Sequence, residues 1–104
     1  MLESFAALVL VGVLNVAPVE AAAPSGGQQT YDVIGCISCH GTHGNSPNEE
    51  NAPSLSGLNK EYILTQLHLF QTGERMSPIM NAMAMMYEGH EEEIADYLSK
   101  QTPQ

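Results

Sequence analysis

The chain has 104 residues, with 12 acidic side chains against 3 basic ones and a formal net charge of −9. That length holds one domain. So few Lys and Arg exclude a nucleic-acid binder, which must neutralise phosphates with clustered cations, and argue against adhesion to anionic lipid headgroups.

The first element is an apolar run from Phe5 to Val19, interrupted only by Asn15. It has about the length of a signal-peptide core and falls short of the roughly 20 residues a spanning helix needs. Small residues follow at Ala21, Ala22 and Ala23, and the Val19-Glu20-Ala21 pattern favours cleavage after Ala21. The leading Met1-Leu2-Glu3-Ser4 departs from the usual pattern, since it has no Lys or Arg and carries an acid. An uncleaved anchor helix competes with this reading, but the short span and Pro18 argue against it. Residues 1–21 are therefore read as a signal peptide for export to the bacterial periplasm, leaving no membrane span after cleavage. Residues 22–29 read as a flexible lead-in and 30–104 as the folded domain.

A remaining chain of about 80 residues is close to the limit at which one core suffices, and such chains often recruit a metal, disulfide or cofactor. With four Tyr, two Phe and no Trp in the whole sequence, a non-protein group is expected to fill the core. A short amphipathic helix is predicted from about Thr30 into a cysteine motif. Gly41 to Gly57, rich in Gly, Pro, Ser and Asn, reads as a long loop with something to wrap. The clearest helix is Lys60 to Thr72, where Ile63, Leu64, Leu67 and Phe70 form an apolar stripe between a cap at Asn59 and a stop at Gly73. A second loop, Glu74 to Pro78, leads into a short helical segment, Ile79 to Met86. The last helix is predicted from about Gly89 to Lys100, with acids in its first turn and Ile94, Tyr97 and Leu98 on its buried face. No segment has strand periodicity, so the fold class is all-α.

The chemistry sits in Cys36-Ile37-Ser38-Cys39-His40, a C-x-x-C-H. Two thiols three residues apart on one helical turn can each form a thioether to the two vinyl groups of a porphyrin, and the adjacent histidine then falls under the iron. This attachment occurs outside the cytoplasm, in agreement with an exported N-terminus. A disulfide across three residues is geometrically poor, and a thioredoxin-like motif needs a βαβ setting that is absent here. Zinc would need four ligands, and Cys36, Cys39, His40 and His43 sit too close together for the usual spacing. Two cysteines limit the chain to one covalently attached haem c.

A second axial ligand should come from downstream. The candidates are Met76, Met80, Met83, Met85, Met86, His68 and His90. Soft thioether ligation suits an electron carrier, while most of these methionines are expected to fill the core. Met80 follows the Pro78 loop and stands 40 residues after His40, far enough to wrap the haem edge; Met83 is the alternative. His43 reads as a solvated loop residue, and His68 and His90 as surface residues.

The stretches CISCHGTHGNS, APSLSGLNKEYILTQLHLFQTGER, SPIMNAM and EEEIADYLSKQ resemble small bacterial class I cytochromes c. The likeness covers Tyr31 to Gln101 and is closest to the modules of dihaem periplasmic cytochromes and to the cytochrome subunit of flavocytochrome c sulfide dehydrogenase. It implies the class I fold, short helices wrapped around one haem. It also implies an axial ligand at Met80, and a carbonyl at Pro53 of Pro53-Ser54-Leu55-Ser56-Gly57 that accepts a hydrogen bond from His40. Related chains carry a Ser cap before the last helix, where this one has Met85-Met86-Tyr87-Glu88.

Iron with both His and Met bound has no open position, which implies an electron-transfer protein and not an enzyme. Two settings fit: the non-catalytic haem subunit of a flavoprotein sulfide dehydrogenase, or a free monohaem carrier between respiratory or photosynthetic complexes. The acids Glu88, Glu91, Glu92, Glu93 and Asp96 form either a solvated helix face or a steering patch for a basic redox partner. A Met-rich copper-binding protein is the remote alternative, one that leaves the cysteine motif unexplained.

Overall fold

The computed structural model describes residues 25–104, and the expected signal peptide lies outside them. Five α-helices are arranged in the order α1 (Gly26–Ile34), α2 (Cys36–His40), α3 (Lys60–Thr72), α4 (Pro78–Met83) and α5 (Glu91–Ser99). A 3₁₀ turn, Thr42–Gly44, follows α2. No strand occurs among the described residues, and no helix there is long and apolar enough to cross a membrane.

Helix α1 begins at Gly26, earlier than the sequence predicts, so the lead-in expected at 22–29 is folded from Ser25 onward. The cause is a cap: the Ser25 hydroxyl accepts a hydrogen bond from the Gln28 N–H at 3.0 Å, satisfying one of the free donors of the first turn. Two glycines in the first turn hide this helix from propensity reasoning, yet Gly27 is required by packing. A Cβ there would collide with the Glu93 carbonyl oxygen and lie 2.7 Å from Tyr97 Cβ, so α1 and α5 cross backbone to backbone. The Thr30 hydroxyl donates to Glu93 across the same crossing.

Helix α3 has the predicted limits, with Asn59 accepting from Tyr62 N–H and Gly73 ending it in the left-handed region. Ile63 and Phe70 of its stripe are buried, and Leu64 and Leu67 pack partly buried beside them. Helix α4 stops at Met83, three residues before the expected end, because the chain tightens there to bring Tyr87 into the core. That ring is 1% exposed, and its hydroxyl donates to the Leu67 carbonyl at 2.6 Å. Helix α5 starts at Glu91 and not at Gly89, whose φ of 89° is incompatible with a helix. His90 caps it without a side-chain bond, so Glu91, Glu92 and Glu93 supply the negative charge that the N-terminus favours.

Ile94, Tyr97 and Leu98 are buried as expected, and Tyr31 joins them with no exposed surface. Together with Ile63, Phe70 and Tyr87 they form one core between α1, α3 and α5. The loop from Asn45 to Asn59 is strapped down rather than free. The Gly44 carbonyl accepts from Leu55 N–H at 2.7 Å, and Gly57 N–H donates to the Leu98 carbonyl at 2.9 Å.

Candidate functional site

The cysteine motif is a helix of its own. Gly35 (φ 106°) ends α1 and opens α2, and Gly41 (φ 85°) ends α2, so five residues are set between two left-handed glycines. One helical turn places Cys36, Cys39 and His40 together, and all three line one cavity of about 380 Å³. Neither cysteine is in a disulfide. Burial pushes the Cys36 thiol up to about 11, against a smaller opposing effect of its backbone.

His40 is 8% exposed. Burial lowers its pKa, opposed by its bond to Pro53, so the imidazole is neutral near pH 7. Its Nδ1 lies 2.8 Å from the Pro53 carbonyl oxygen, an acceptor that requires Nδ1 to carry the proton. Nε2 therefore presents a lone pair, and it has no hydrogen-bond partner among the described residues. Tyr31 supports this wall, since its buried hydroxyl donates to the Gly41 carbonyl at 2.7 Å, one residue after His40.

Met80, on α4, is half-buried and lines the same cavity. Its position depends on Asn81, a residue that sequence reasoning passed over. The Asn81 amide donates to the carbonyls of Phe70 at 2.9 Å and Arg75 at 3.0 Å, and its oxygen accepts from Ser77 N–H at 2.8 Å. This ties α4 to the end of α3; only a polar residue beside the methionine hinted at it. Met83 packs against the core and is not among the cavity residues, whereas Met76 reaches the cavity rim while 78% exposed. Met85 and Met86 are exposed outside the cavity. The methionines thus do not all converge on one site, and only Met76 and Met80 line the cavity. No group of three His, Cys, Asp or Glu suited to a metal occurs among the described residues.

Leu55, Leu58, Ile63, Leu67, Ile94 and Leu98 form the apolar walls, and no carboxylate lines the cavity in a chain with 12 acids. An apolar cleft of this size with two free thiols and one unpaired imidazole nitrogen matches a covalently held, iron-bearing planar ring.

The family model described as Cytochrome c matches residues 25–100. The chain belongs to the cytochrome c family. No curated relative matches it. As a class I cytochrome c it has an all-α fold and a haem-mediated electron-transfer function, and Cys36, Cys39 and His40 fit the C-x-x-C-H motif by which the family holds haem c.

Two further expectations meet the structure here. His43 is not a solvated loop residue. It is half-buried, and its Nδ1 lies 2.8 Å from the Tyr97 hydroxyl, a contact between residues 54 apart that no local pattern reveals. His68 and His90 are exposed, as the sequence suggests, and neither lines the cavity.

Proposed function

We propose that this cytochrome c moves single electrons in the periplasm through one haem c, bound covalently by Cys36 and Cys39 and ligated axially by His40 and Met80. The observation that carries the reading is the cavity itself, to which α2 contributes both thiols and a neutral imidazole and α4 a thioether. When bound, the haem supplies a one-electron iron couple. Pro53 holds the His40 ring in orientation through its carbonyl and raises the ligand's basicity. The apolar walls exclude water, which lowers the cost of solvent rearrangement as charge changes, and the thioether of Met80 favours the reduced iron.

Docking follows from what surrounds the cavity. Tyr62, Met76 and Ile79 line it and are 51%, 78% and 70% exposed, so the rim is largely apolar, with the exposed Arg75 beside them. The acids of α5 are engaged within the chain. Glu92 pairs with Lys60 at 2.6 Å, Glu93 accepts from Thr30, Glu91 accepts from Gln71 at 2.6 Å, and Asp96 meets Lys100 at 3.0 Å. Lys60 and Lys100 offset part of the charge of the α5 acids, while Glu91, bonded to the neutral Gln71 amide, keeps its own; the apolar mouth supports a partner held in part by apolar contact. This supports the role of a haem subunit bound to a redox protein, of which the flavoprotein of a sulfide dehydrogenase is the class suggested by the sequence resemblance.

Absorption spectra of the protein and of Met80→Ala test the ligation. The expected result is sharp reduced c-type bands in both, with the far-red thioether-to-iron band of the oxidised form lost only in the variant. Persistence of that band in Met80→Ala would move the ligand elsewhere. Co-purification with a flavin-bearing chain distinguishes a subunit from a free carrier.

A further inference from the structure

The Met-rich segment holds three exposed thioethers that no ligand role has absorbed. Met83 packs against the core and Met80 lines the cavity, whereas Met76, Met85 and Met86 are 78%, 80% and 58% exposed. Met76 and Met85 line a second, open groove, framed by Phe70, Gln71, Thr72 and Gly73 at the end of α3 and by Asn81 and Ala84. Glu88 lines it as well, and its exposed carboxylate has no hydrogen bond or ion pair among the described residues. Met86 does not line the groove.

The frame of this groove is fixed while its donors are free to swing. Asn81 ties its sides together through the Phe70 and Arg75 carbonyls, and Met86 N–H donates to the Met83 carbonyl at 2.8 Å, which holds the turn that carries Met85. Each methionine has three rotatable bonds, so two sulfurs can meet one ion without moving the backbone. Thioethers are soft donors that select Cu(I) over hard ions such as calcium and magnesium. The imidazole or thiolate that zinc would need is absent from the groove. The chain's formal charge of −9 draws cations to its surface.

We propose that Met76 and Met85, with the Glu88 carboxylate, form a surface binding site for Cu(I) in this groove. Two neutral thioethers and one carboxylate around a single positive charge leave the site neutral as a whole. The ion binds and leaves as Cu(I), with no change of oxidation state. The site goes beyond the electron-transfer reading and does not rest on it, because Met80 and the cysteines take no part.

The test uses ferrous holoprotein labelled with carbon-13 at the methionine methyls, kept under argon with ascorbate, and Cu(I) added as its acetonitrile complex. One Cu(I) per chain is expected, shifting the Met76 and Met85 methyl resonances together while the Met86 resonance and the visible spectrum stay unchanged. Met76→Leu and Met85→Leu conserve volume at exposed positions and keep the fold. Each of these, and Glu88→Gln, should weaken Cu(I) binding by at least ~10-fold, the lower end of what losing even a supporting group costs a metal site. Met86→Leu should bind as the unaltered protein does. Unchanged affinity in any of the first three variants, or an equal loss in Met86→Leu, would overturn the site. A change in the haem bands on adding Cu(I) would place the ion on the cavity's thioether and overturn it too. Zinc at the same concentration should leave both methyl resonances in place, and a shift with zinc would refute a site built for a soft ion.

Discussion

Replacing Gly27 by alanine sets two opposed effects against each other. Alanine in a helix is favoured over glycine by ~1 kcal/mol, so a reading based on helix propensity expects stabilisation. The geometry says otherwise. The new methyl would collide with the Glu93 carbonyl oxygen and stand 2.7 Å from Tyr97 Cβ and 3.0 Å from the Glu93 carbonyl carbon, all on the facing helix. None of these is the end of a flexible side chain. Ordinary carbon contacts lie near 3.5–4.0 Å, so the helices must part by roughly 1 Å. Overpacking of this kind costs about 1–3 kcal/mol, and parting α1 from α5 also loosens Tyr31 and Leu98, which have at most 1% of their surface exposed. The net expectation is a loss of ~2 kcal/mol, or a fall of about 10 °C in Tm for a domain of this size. Gly26→Ala is the internal control, because its Cβ would meet only Glu93 Oε1 at an ordinary 3.7 Å. Urea and thermal unfolding of the holoprotein, followed by circular dichroism, measure both. A Gly27→Ala protein as stable as Gly26→Ala would refute the close crossing.

Asn81→Ala removes the amide that joins α4 to α3 and leaves the Phe70 and Arg75 carbonyls without this partner. Stability should fall by about 1–3 kcal/mol, and on heating the Met80 band should disappear before the helices melt. Pro53→Ala keeps the backbone carbonyl and so should keep the His40 bond; an unchanged spectrum with a slightly less stable loop is expected, and loss of the spectrum would show that the ring matters more than the carbonyl. Glu93 and Asp96 titrate below the usual carboxylate range, the first through the Thr30 hydroxyl and then His90, the second through Lys100. Depressed carboxylate pKa values stabilise the fold above the unfolded-state value of ~4.3, and that contribution is lost as pH falls through the folded-state values. Acid titration followed by circular dichroism should therefore show a downward step below ~pH 4.3 that is reduced in Thr30→Val, and identical curves would dismiss the bond. Met76→Ser with Ile79→Ser should slow electron exchange with the physiological partner while the optical spectrum stays the same. A rate equal to that of the unaltered protein would place docking elsewhere.

The chemistry was readable because covalent attachment needs a fixed local spacing, and Cys36, Cys39 and His40 are neighbours in the chain as well as in the cavity. Helix α3 was equally plain, with a cap, a stripe and a glycine stop all within its own length. What escaped depends on contacts distant in sequence. Gly27 looks like a helix breaker until α5 is laid across it, and the role of His43 exists only because Tyr97 arrives from the other end of the chain. The early end of α4 likewise follows from where Tyr87 must go. Asn81 satisfies carbonyls whose neighbourhood is set by the α3–α4 turn.

Helix α2 is five residues long and isolated by Gly35 and Gly41, and even the longest helix, α3, has only 13. Helices this short are marginal in water and hold their shape only when packed. The cysteine segment of a newly made chain is therefore an accessible, pliable thread, with both thiols free to be reached by whatever joins them to the porphyrin. Leu55 and Leu67, half-buried at the cavity, gain a further surface to close upon once the ring is in place. With the cysteines holding the ring as proposed, attachment precedes the final closure of the cavity, and a lesion that blocks attachment leaves that side of the fold open as well as colourless.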